Sequence, residues 1–437
     1  MTAELDLVGI GIGPFNLSLA ALADPVPGLR ARFYERSAEF RWHPGLLIDG
    51  ATLQVPFLAD LVSLVDPTHP LSFLAYLREH DRMFPFYFAE RFHIPRREYD
   101  DYCRWASRKL PCCRFDREVR CVRWSPDDGA FAIDVSGETV LAKHVVLGVG
   151  TEPVVPAPLR ALADDPDVPV LHSADYLDRR NELVDTKHVT VIGSGQSGAE
   201  VFLDLLRRRD ATGLTWIART PAFAPMEYSK LGLEQFTPDY VRFFHGLPEP
   251  TRDRLVPAQW QLYKGISGDT IGDIHDELYQ RGVGGCWPEV TLAPGVAVDD
   301  ARWVDGSLSL TVRHVHQETV TTMRTDAVVC ATGYAERDLE TLLAPLGDAV
   351  ARDAAGRIEV DADFRVRLRE DIGGSVYAQN AERHTHGVGA PDLGLAAWRS
   401  ATILNAVCGR EVHRLPKRTA FTTSDCRDKE WTHERVA

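Results

Sequence analysis

The sequence predicts an α/β protein with two Rossmann-like dinucleotide-binding domains and a smaller, mainly helical third region, and three observations predict it. Leu7 to Asn16 reads L-V-G-I-G-I-G-P-F-N, and Thr190 to Glu200 reads T-V-I-G-S-G-Q-S-G-A-E. Each is an apolar run that enters a glycine cluster and then an amphipathic segment, the pattern of a strand, a tight phosphate-binding turn and a helix. The third is a glycine-containing strand end, Ala331-Thr332-Gly333-Tyr334. Two such turns roughly 180 residues apart point to two dinucleotides held side by side, with redox chemistry passed between them.

Leu5 to Ile10 has the composition of a buried parallel strand, and Phe15 to Leu22 carries the apolar spacing of a helix. Between them Gly9-x-Gly11-x-x-Pro14 ends in proline, which the first turn of a helix accepts because no N–H is needed there. Bare backbone amides at Gly9, Gly11 and Gly13 and the positive helix end suit a pyrophosphate. The next strand, Ala31 to Tyr34, ends at Glu35, about 20 residues on, where a carboxylate accepts a ribose hydroxyl.

Trp42 to Leu77 holds four prolines and alternating apolar positions, which predict a long, partly buried loop until Ser72 caps a helix. Loops of this length are usually functional. Pro95 to Trp105 reads as a packed surface helix with a mixed aromatic and charged face. Phe115 to Ile133 and Glu138 to Gly150 read as the strands that finish the first domain.

Gly193-x-Gly195-x-x-Gly198 satisfies the dinucleotide pattern in full, and the helix after it buries Ala199, Phe202, Leu205 and Leu206. The following strand, Leu214 to Ala218, ends in Arg219, and a cation there favours the 2′-phosphate of NADPH. Pro225 to Gln280 carries no nucleotide signature and reads as an inserted helical substrate region. Asp326 to Cys330 and Val376 to Gln379 return as strands. The domains expected are therefore 1–155 with 330–415, 156–224 with 285–329, and 225–284, followed by a charged, mobile tail at 416–437.

Composition excludes several classes. At 437 residues, 44% hydrophobic and 26% charged, the chain is that of a soluble globular protein. With 49 basic against 63 acidic residues its formal charge is −14, which disfavours nucleic acid. The eight cysteines contain no C-x-x-C, and His384 and His386 have no third ligand at zinc spacing, so neither a redox dithiol nor a metal is expected. Glu4 and Asp6 spoil a signal peptide, no apolar run reaches the ~20 residues of a membrane span, and a cytoplasmic location is the default.

With those residues in hand, the sequence resembles the microbial N-hydroxylating flavin monooxygenases, the lysine, ornithine and diamine N-hydroxylases of hydroxamate siderophore pathways. The resemblance runs from Leu5 to Leu415. It rests on G-I-G-I-G-P-F-N-L-S, W-H-P-G, the block L-Q-V-P-F-L-x-D-L-V-S, E-Y-x-D-Y-C-R-W, V-I-G-S-G-Q-S-G-A-E, F-T-P-D-Y-V, A-T-G-Y and H-T-H-G-V-G-A-P-D-L-G-L-A-A-W-R-S. It implies FAD in the first turn, NADPH in the second, and O2 as oxidant through a C4a-hydroperoxyflavin. It also implies a homo-oligomer, dimer or tetramer.

Carried over by position, the resemblance sets Gln54 against the flavin ring as the catalytic contact. Gly9, Gly11, Gly13, Pro14, Asn16, Glu35, Trp42 and His43 are implied to hold FAD. Gly193, Gly195, Gln196, Ser197, Gly198 and Arg219 are implied to hold NADPH. Thr332, Gly333, His386, Asp392 and Leu393 return to the cofactors, with Gly387 in the same block.

The departures lie in the substrate positions. Amino-acid hydroxylases of this kind carry a lysine for the substrate carboxylate where this chain has Ala59, and asparagines where it has Leu233 and Leu262. A buried carboxylate without partners costs several kcal/mol. The expected substrate is therefore a small diamine, cadaverine or putrescine, with Asp60, Glu234 or Asp269 as acceptors for its distal ammonium. L-lysine or L-ornithine, with Lys230 or Lys264 taking the carboxylate, is the alternative. A carbonyl- or sulfide-oxidising flavin monooxygenase shares the two turns and the H-S-x-x-Y of His172 to Tyr176 but lacks here its F-x-G-x-x-x-H fingerprint. A non-catalytic redox sensor would bind flavin without amine-dependent turnover.

Overall fold

The computed structural model describes residues 5–209, 212–285 and 287–425. From the N-terminus, β1 (Leu5–Ile10) runs into α1 (Pro14–Ala23), a helix buried along its whole length, and β2 (Ala31–Tyr34) follows. The long loop holds a 3-10 turn at Pro44–Leu46 and ends in α2 (Phe73–Glu79), where the Ser72 hydroxyl accepts the Ala75 N–H at 3.2 Å as the capping residue. Then come α3 (Met83–Ala89), α4 (Arg96–Lys109) and β3 (Cys113–Arg114).

The stretch Phe115 to Ile133, expected to be strand, holds one full strand and most of a second. β4 (Val119–Ser125) and β5 (Ala130–Val135) pair antiparallel across a turn at Gly129, whose φ is +58°. β6 (Glu138–Leu147) is long enough to serve twice: its first half pairs β5, its second half pairs β1 and the C-terminal strand.

After β7 (Thr151–Pro153) the chain enters a second sheet through α5 (Ala157–Ala163), β8 (Val170–His172), α6 (Tyr176–Asp185), β9 (Val189–Ile192), α7 (Gln196–Arg208) and β10 (Thr212–Ala218). Three helices, α8 (Pro238–His245), α9 (Glu249–Ala258) and α10 (Gly268–Arg281), make the helical region. Thr237 caps α8 and Ser267 caps α10.

β11 (Glu289–Pro294) joins the second sheet, and β12 (Val296–Val304), β13 (Ser307–His314) and β14 (Val320–Thr325) form an antiparallel meander that the sequence pattern did not reveal. The chain then runs through β15 (Ala327–Cys330), β16 (Tyr334–Glu336), α11 (Glu340–Leu343), β17 (Arg365–Val366), β18 (Ser375–Ala378), α12 (Arg383–His386) and α13 (Ala396–Cys408).

The first sheet is ordered β17-β18-β6-β1-β2-β3, and the second is all parallel, β11-β10-β9-β15-β8. Apolar clusters cover both faces of each, which is why their strands read as nearly continuous apolar runs. The carboxyl ends of β1 and β9 carry the two glycine turns, as expected for ligand crevices in parallel sheets. β7 and β16 pair where the chain leaves and re-enters the first sheet, and tie the two lobes.

The tail departs from expectation. Residues 416–425 dock on the helical region: Asp239 accepts the Thr419 and Ala420 N–H groups at 2.6 and 3.0 Å. Residues 426–437 of the expected mobile tail lie outside the described residues. Among the described residues no helix is long and apolar enough to cross a membrane, and no group of His, Cys, Asp or Glu has metal-binding geometry.

Candidate active site

In the first glycine turn Gly11 has φ +84°, and a Cβ there would stand 2.5 Å from the Gly148 carbonyl oxygen, so only glycine fits. Gly9 packs under the Phe33 ring, while a Cβ on Gly13 would meet nothing within 4 Å. The turn therefore presents backbone to open space at the start of α1, with Pro14 supplying the first helical position. Glu35 reaches back from the end of β2, accepting the Ile12 N–H at 3.0 Å and the Ser37 N–H at 2.9 Å through different oxygens. A carboxylate has about four acceptor sites, so capacity remains for a ribose hydroxyl.

Asn16 has its side-chain amide engaged within the protein. It is fully buried, donating to the Ile10 and Gly11 carbonyls at 3.0 and 2.9 Å and accepting from Gln379 at 2.8 Å. Its side chain is consumed in holding the glycine turn to β18.

The second turn is built alike. Gly193 has φ +133° and abuts the Ala331 carbonyl, and Trp216 Nε1 donates to the Gly193 carbonyl at 2.6 Å. Gly198 lets α7 pack against that carbonyl, and Gly195 has only the Lys264 carbonyl near it, at 3.5 Å from a would-be Cβ. The Ser197 hydroxyl makes no hydrogen bond among the described residues. Gln196 departs from expectation: its side chain donates to Glu200 at 2.8 Å and Thr270 at 2.9 Å and accepts from Ser267 at 2.7 Å. It therefore ties α7 to α10, leaving only its backbone for a nucleotide.

Arg219 is exposed, and its charge reaches Lys264, whose pKa is lowered by burial, by Arg383 and by Arg219. Arg383 and Lys264 both lie over the Tyr263 ring, at 5.6 and 5.4 Å. Three cations beside an open glycine turn fit a phosphorylated nucleotide. Lys264 belongs to this cluster, which argues against its taking a substrate carboxylate.

Between the turns lies the seam. Trp42, His43, Tyr334 and His172 form a chain of edge-on rings with successive centroids 5.2, 5.2 and 5.1 Å apart. Burial, with the Arg96 charge behind it, lowers the His43 pKa to about 4, and burial lifts Tyr334 to about 12, so the seam is uncharged at neutral pH. Arg96 at the start of α4 pairs with Glu200 of α7 at 2.7 Å, both nearly buried, and clasps the lobes. Thr332 is also structural: its hydroxyl donates to the Val154 carbonyl, while the Gly333 carbonyl takes the Val154 N–H at 3.0 Å and faces His172 Nε2 at 3.1 Å. Gln54, in the loop before α2, has a buried Nε2 with no partner. An unmet buried donor costs about 1–3 kcal/mol, so this position is made for an acceptor such as a flavin carbonyl.

The substrate positions sort themselves by partner. Ala59 is buried, with the small Gly394 beside it. Asp60 is not a free acceptor: Oδ1 takes the Val62 and Ser63 N–H groups at 2.9 and 2.6 Å, and Oδ2 takes the Ser63 hydroxyl and the Phe73 N–H, both at 2.7 Å. Glu234 is spent as well, on the docked tail, accepting from the Phe421 and Thr422 N–H groups and the Thr422 hydroxyl at 2.6 to 3.0 Å. Leu262 is buried, Leu233 is exposed, and Asp269 is exposed in the first turn of α10.

His386 does not line an open site. It is buried at 1% exposure, stacked on Phe364 at 4.3 Å, and burial keeps its ring neutral. Leu393 sits half-buried at the edge of the first core. Asp392 accepts only the Gly394 N–H, at 2.8 Å.

Residues 3–336 match the family described as L-lysine 6-monooxygenase/L-ornithine 5-monooxygenase. The chain belongs to this family. The rhizobactin siderophore biosynthesis protein RhbE of Rhizobium meliloti is 46% identical over 433 residues, spanning 96% of this chain and 94% of that protein. The putrescine N-hydroxylase of Shewanella oneidensis is 40% identical over 428 residues, spanning 96% and 84%. The FAD-bound cadaverine monooxygenase DfoA of Erwinia amylovora has a TM-score of 0.92 at 36% identity, over 98% of this chain and all of that one (100%). The ornithine N-hydroxylase KtzI of Kutzneria sp. 744, solved with reduced FAD, NADP+ and L-ornithine, has a TM-score of 0.87 at 30% identity, over 93% and 99%.

As a member of the lysine/ornithine monooxygenase family, the chain is a flavin-dependent N-hydroxylating monooxygenase. Sequence reasoning missed the Arg96–Glu200 clasp, because two charges 104 residues apart show no periodicity. It missed the Arg383 and Lys264 cations beside Arg219 for the same reason, although Tyr263-Lys264-Gly265 next to Leu262 was a local hint.

Proposed function

We propose that this monooxygenase hydroxylates one terminal amine of a short aliphatic diamine, cadaverine or putrescine, with FAD, NADPH and O2, in hydroxamate siderophore biosynthesis. The observation that carries the reading is the buried Ala59 where amino-acid hydroxylases of the family carry a lysine. Lys230 is exposed and Lys264 sits with the nucleotide cations, so neither supports an amino-acid substrate. A substrate carboxylate brought there would lose its water without gaining a partner, at several kcal/mol.

When bound, FAD reduced by NADPH supplies the activated oxygen. The chain's own residues then have three tasks. Gly11, Gly13 and Glu35 hold one nucleotide, and Gly193, Gly195 and Arg219 the other, at strand ends that face one seam. Gln54 offers its unmet N–H to orient the flavin ring. Ala59 and Leu262 are buried apolar residues that add no charge, and a desolvated setting favours the uncharged form of the reacting amine, whose reference pKa is about 10.4.

The reading includes a cytoplasmic homo-oligomer. In α3 only Phe86 turns inward, while Phe84, Tyr87 and Phe88 are 76%, 72% and 73% exposed. Together they offer roughly 400 Å² of apolar surface, near the upper range for a monomer and half of what one side of a standard interface buries. A second apolar cleft of about 550 Å³ is lined by Leu278, Tyr279, Val283 and Trp287. Two self-complementary patches make a dimer of dimers, and one makes a dimer.

The test is hydroxylamine product measured with cadaverine, putrescine, L-lysine and L-ornithine. Product from the diamines alone is expected, and Ala59→Lys should raise the diamine KM at least about tenfold by adding a like charge. Product from the amino acids alone would overturn the reading.

A further inference from the structure

Of the carboxylates named from sequence as acceptors for a distal ammonium, Asp60 and Glu234 are spent on other donors and Asp269 is exposed at the start of α10, which leaves that charge without a recognised partner. One other carboxylate meets the geometric need. A single point, the Cβ position of Gly394, lies 2.8 Å from Asp392 Oδ1 and 4.0 Å from the Ala59 Cβ, so carboxylate and alanine flank the same backbone turn.

Within the described residues Asp392 accepts one hydrogen bond, from the Gly394 N–H to Oδ1 at 2.8 Å, and it forms no ion pair. Its other oxygen has no protein partner and is not sealed from solvent, since it is absent from the buried unpartnered atoms. Arg399, the cation whose charge acts on Asp392, is anchored elsewhere. Arg399 donates to the Gly389 and Ala390 carbonyls at 3.0 and 2.7 Å, pairs with Glu382 at 3.1 Å, and lies between the Phe15 and Phe364 rings.

A half-buried carboxylate with an idle oxygen, beside the position where a lysine is replaced by alanine, is the electrostatic inverse of a carboxylate-binding site. We propose that Asp392 binds the distal ammonium of the diamine through its free oxygen and so selects a primary alkylammonium over an amino-acid head group; this rests on the diamine reading above. The two ends of the substrate then meet opposite surroundings. The distal nitrogen stays charged against Asp392, and the reacting nitrogen is stripped of water. Burial lifts the Asp392 pKa to about 6, against the downward pull of the Gly394 N–H and of the Arg399 charge.

The experiment compares wild type with Asp392→Asn, which keeps an oxygen for the Gly394 N–H, on cadaverine and on n-pentylamine, which has no distal ammonium. The expected result is a diamine KM raised roughly 10- to 100-fold with kcat within about threefold, and an n-pentylamine KM unchanged by the substitution. A diamine KM within about threefold of wild type overturns the inference, as does an equal rise for both amines, which would mark a structural role. Asp392→Glu guards against a variant that fails to take up flavin. It keeps the charge but advances it by one methylene, and should lower the putrescine-to-cadaverine KM ratio about fivefold or more; an unchanged ratio overturns the inference. Wild type that hydroxylates no diamine sinks the functional reading and this inference together, whereas a normal wild type with an indifferent Asp392 sinks the inference alone.

Discussion

Asp60 and Asp392 are both carboxylates whose pKa is raised by loss of water, and only their partners divide them. Asp60 recovers the loss through four donors and serves as a capping residue for the turn that leads toward α2. Asp392 recovers little. Between pH about 4 and 6 the folded chain keeps a proton on Asp392 that the unfolded chain has released, so this residue's contribution to stability is full below pH 4 and is lost as pH rises through about 6. A bound ammonium favours the ionised carboxylate and offsets that loss. The rise in Tm produced by saturating cadaverine should therefore be larger at pH 8 than at pH 5, with Arg399 as the other charge acting on Asp392, and Asp392→Asn should flatten the difference. A thermal shift that is equal at both pH values in wild type would contradict the assignment. Sequence alone offered Asp60, Glu234 and Asp269 as ammonium acceptors and placed Asp392 with the cofactor block, because the donors that occupy Asp60 and Glu234 show only once the chain is folded.

At the level of elements, the units with local signals were the ones legible in advance. β1, α1, β9 and α7 follow from apolar runs, glycines and helix periodicity that act within about 20 residues. The β12–β14 meander was not read in advance: β13 alternates cleanly, with Leu308, Leu310 and Val312 buried, but β12 and β14 do not, and Trp303, Val304 and Val320 remain exposed. The join between elements was hidden too. The Arg96–Glu200 pair is 11% and 5% exposed, so removing one partner strands the other charge. Arg96→Met should lower unfolding stability by about 3 kcal/mol in urea titration, and the double variant Arg96→Met/Glu200→Leu should recover much of it. Additive losses in the two single variants would mean the residues do not act as a pair. Since Glu200 also receives Gln196, which reaches α10, the single variant is expected to raise the KM for NADPH as well.

For the whole molecule, the parallel strands of a mixed sheet and of an all-parallel sheet aim their carboxyl ends at a seam crossed by β7 and β16, and the surface keeps apolar patches. If α3 joins subunits, Phe84→Asp/Phe88→Asp should halve the mass found by light scattering while flavin content stays that of wild type. An unchanged mass would remove α3 as the subunit interface.

The sequence by itself determined the two nucleotide turns and the missing lysine at position 59, because a glycine turn and a single side-chain identity are local facts. Only the tertiary structure decided which carboxylates are occupied, which cations stand beside Arg219, and which ring nitrogens and amides are sealed away. Those outcomes depend on the turns the backbone adopts around Asp60 and Asp392, on partners as distant as the tail that occupies Glu234, and on water excluded by packing that no short stretch encodes.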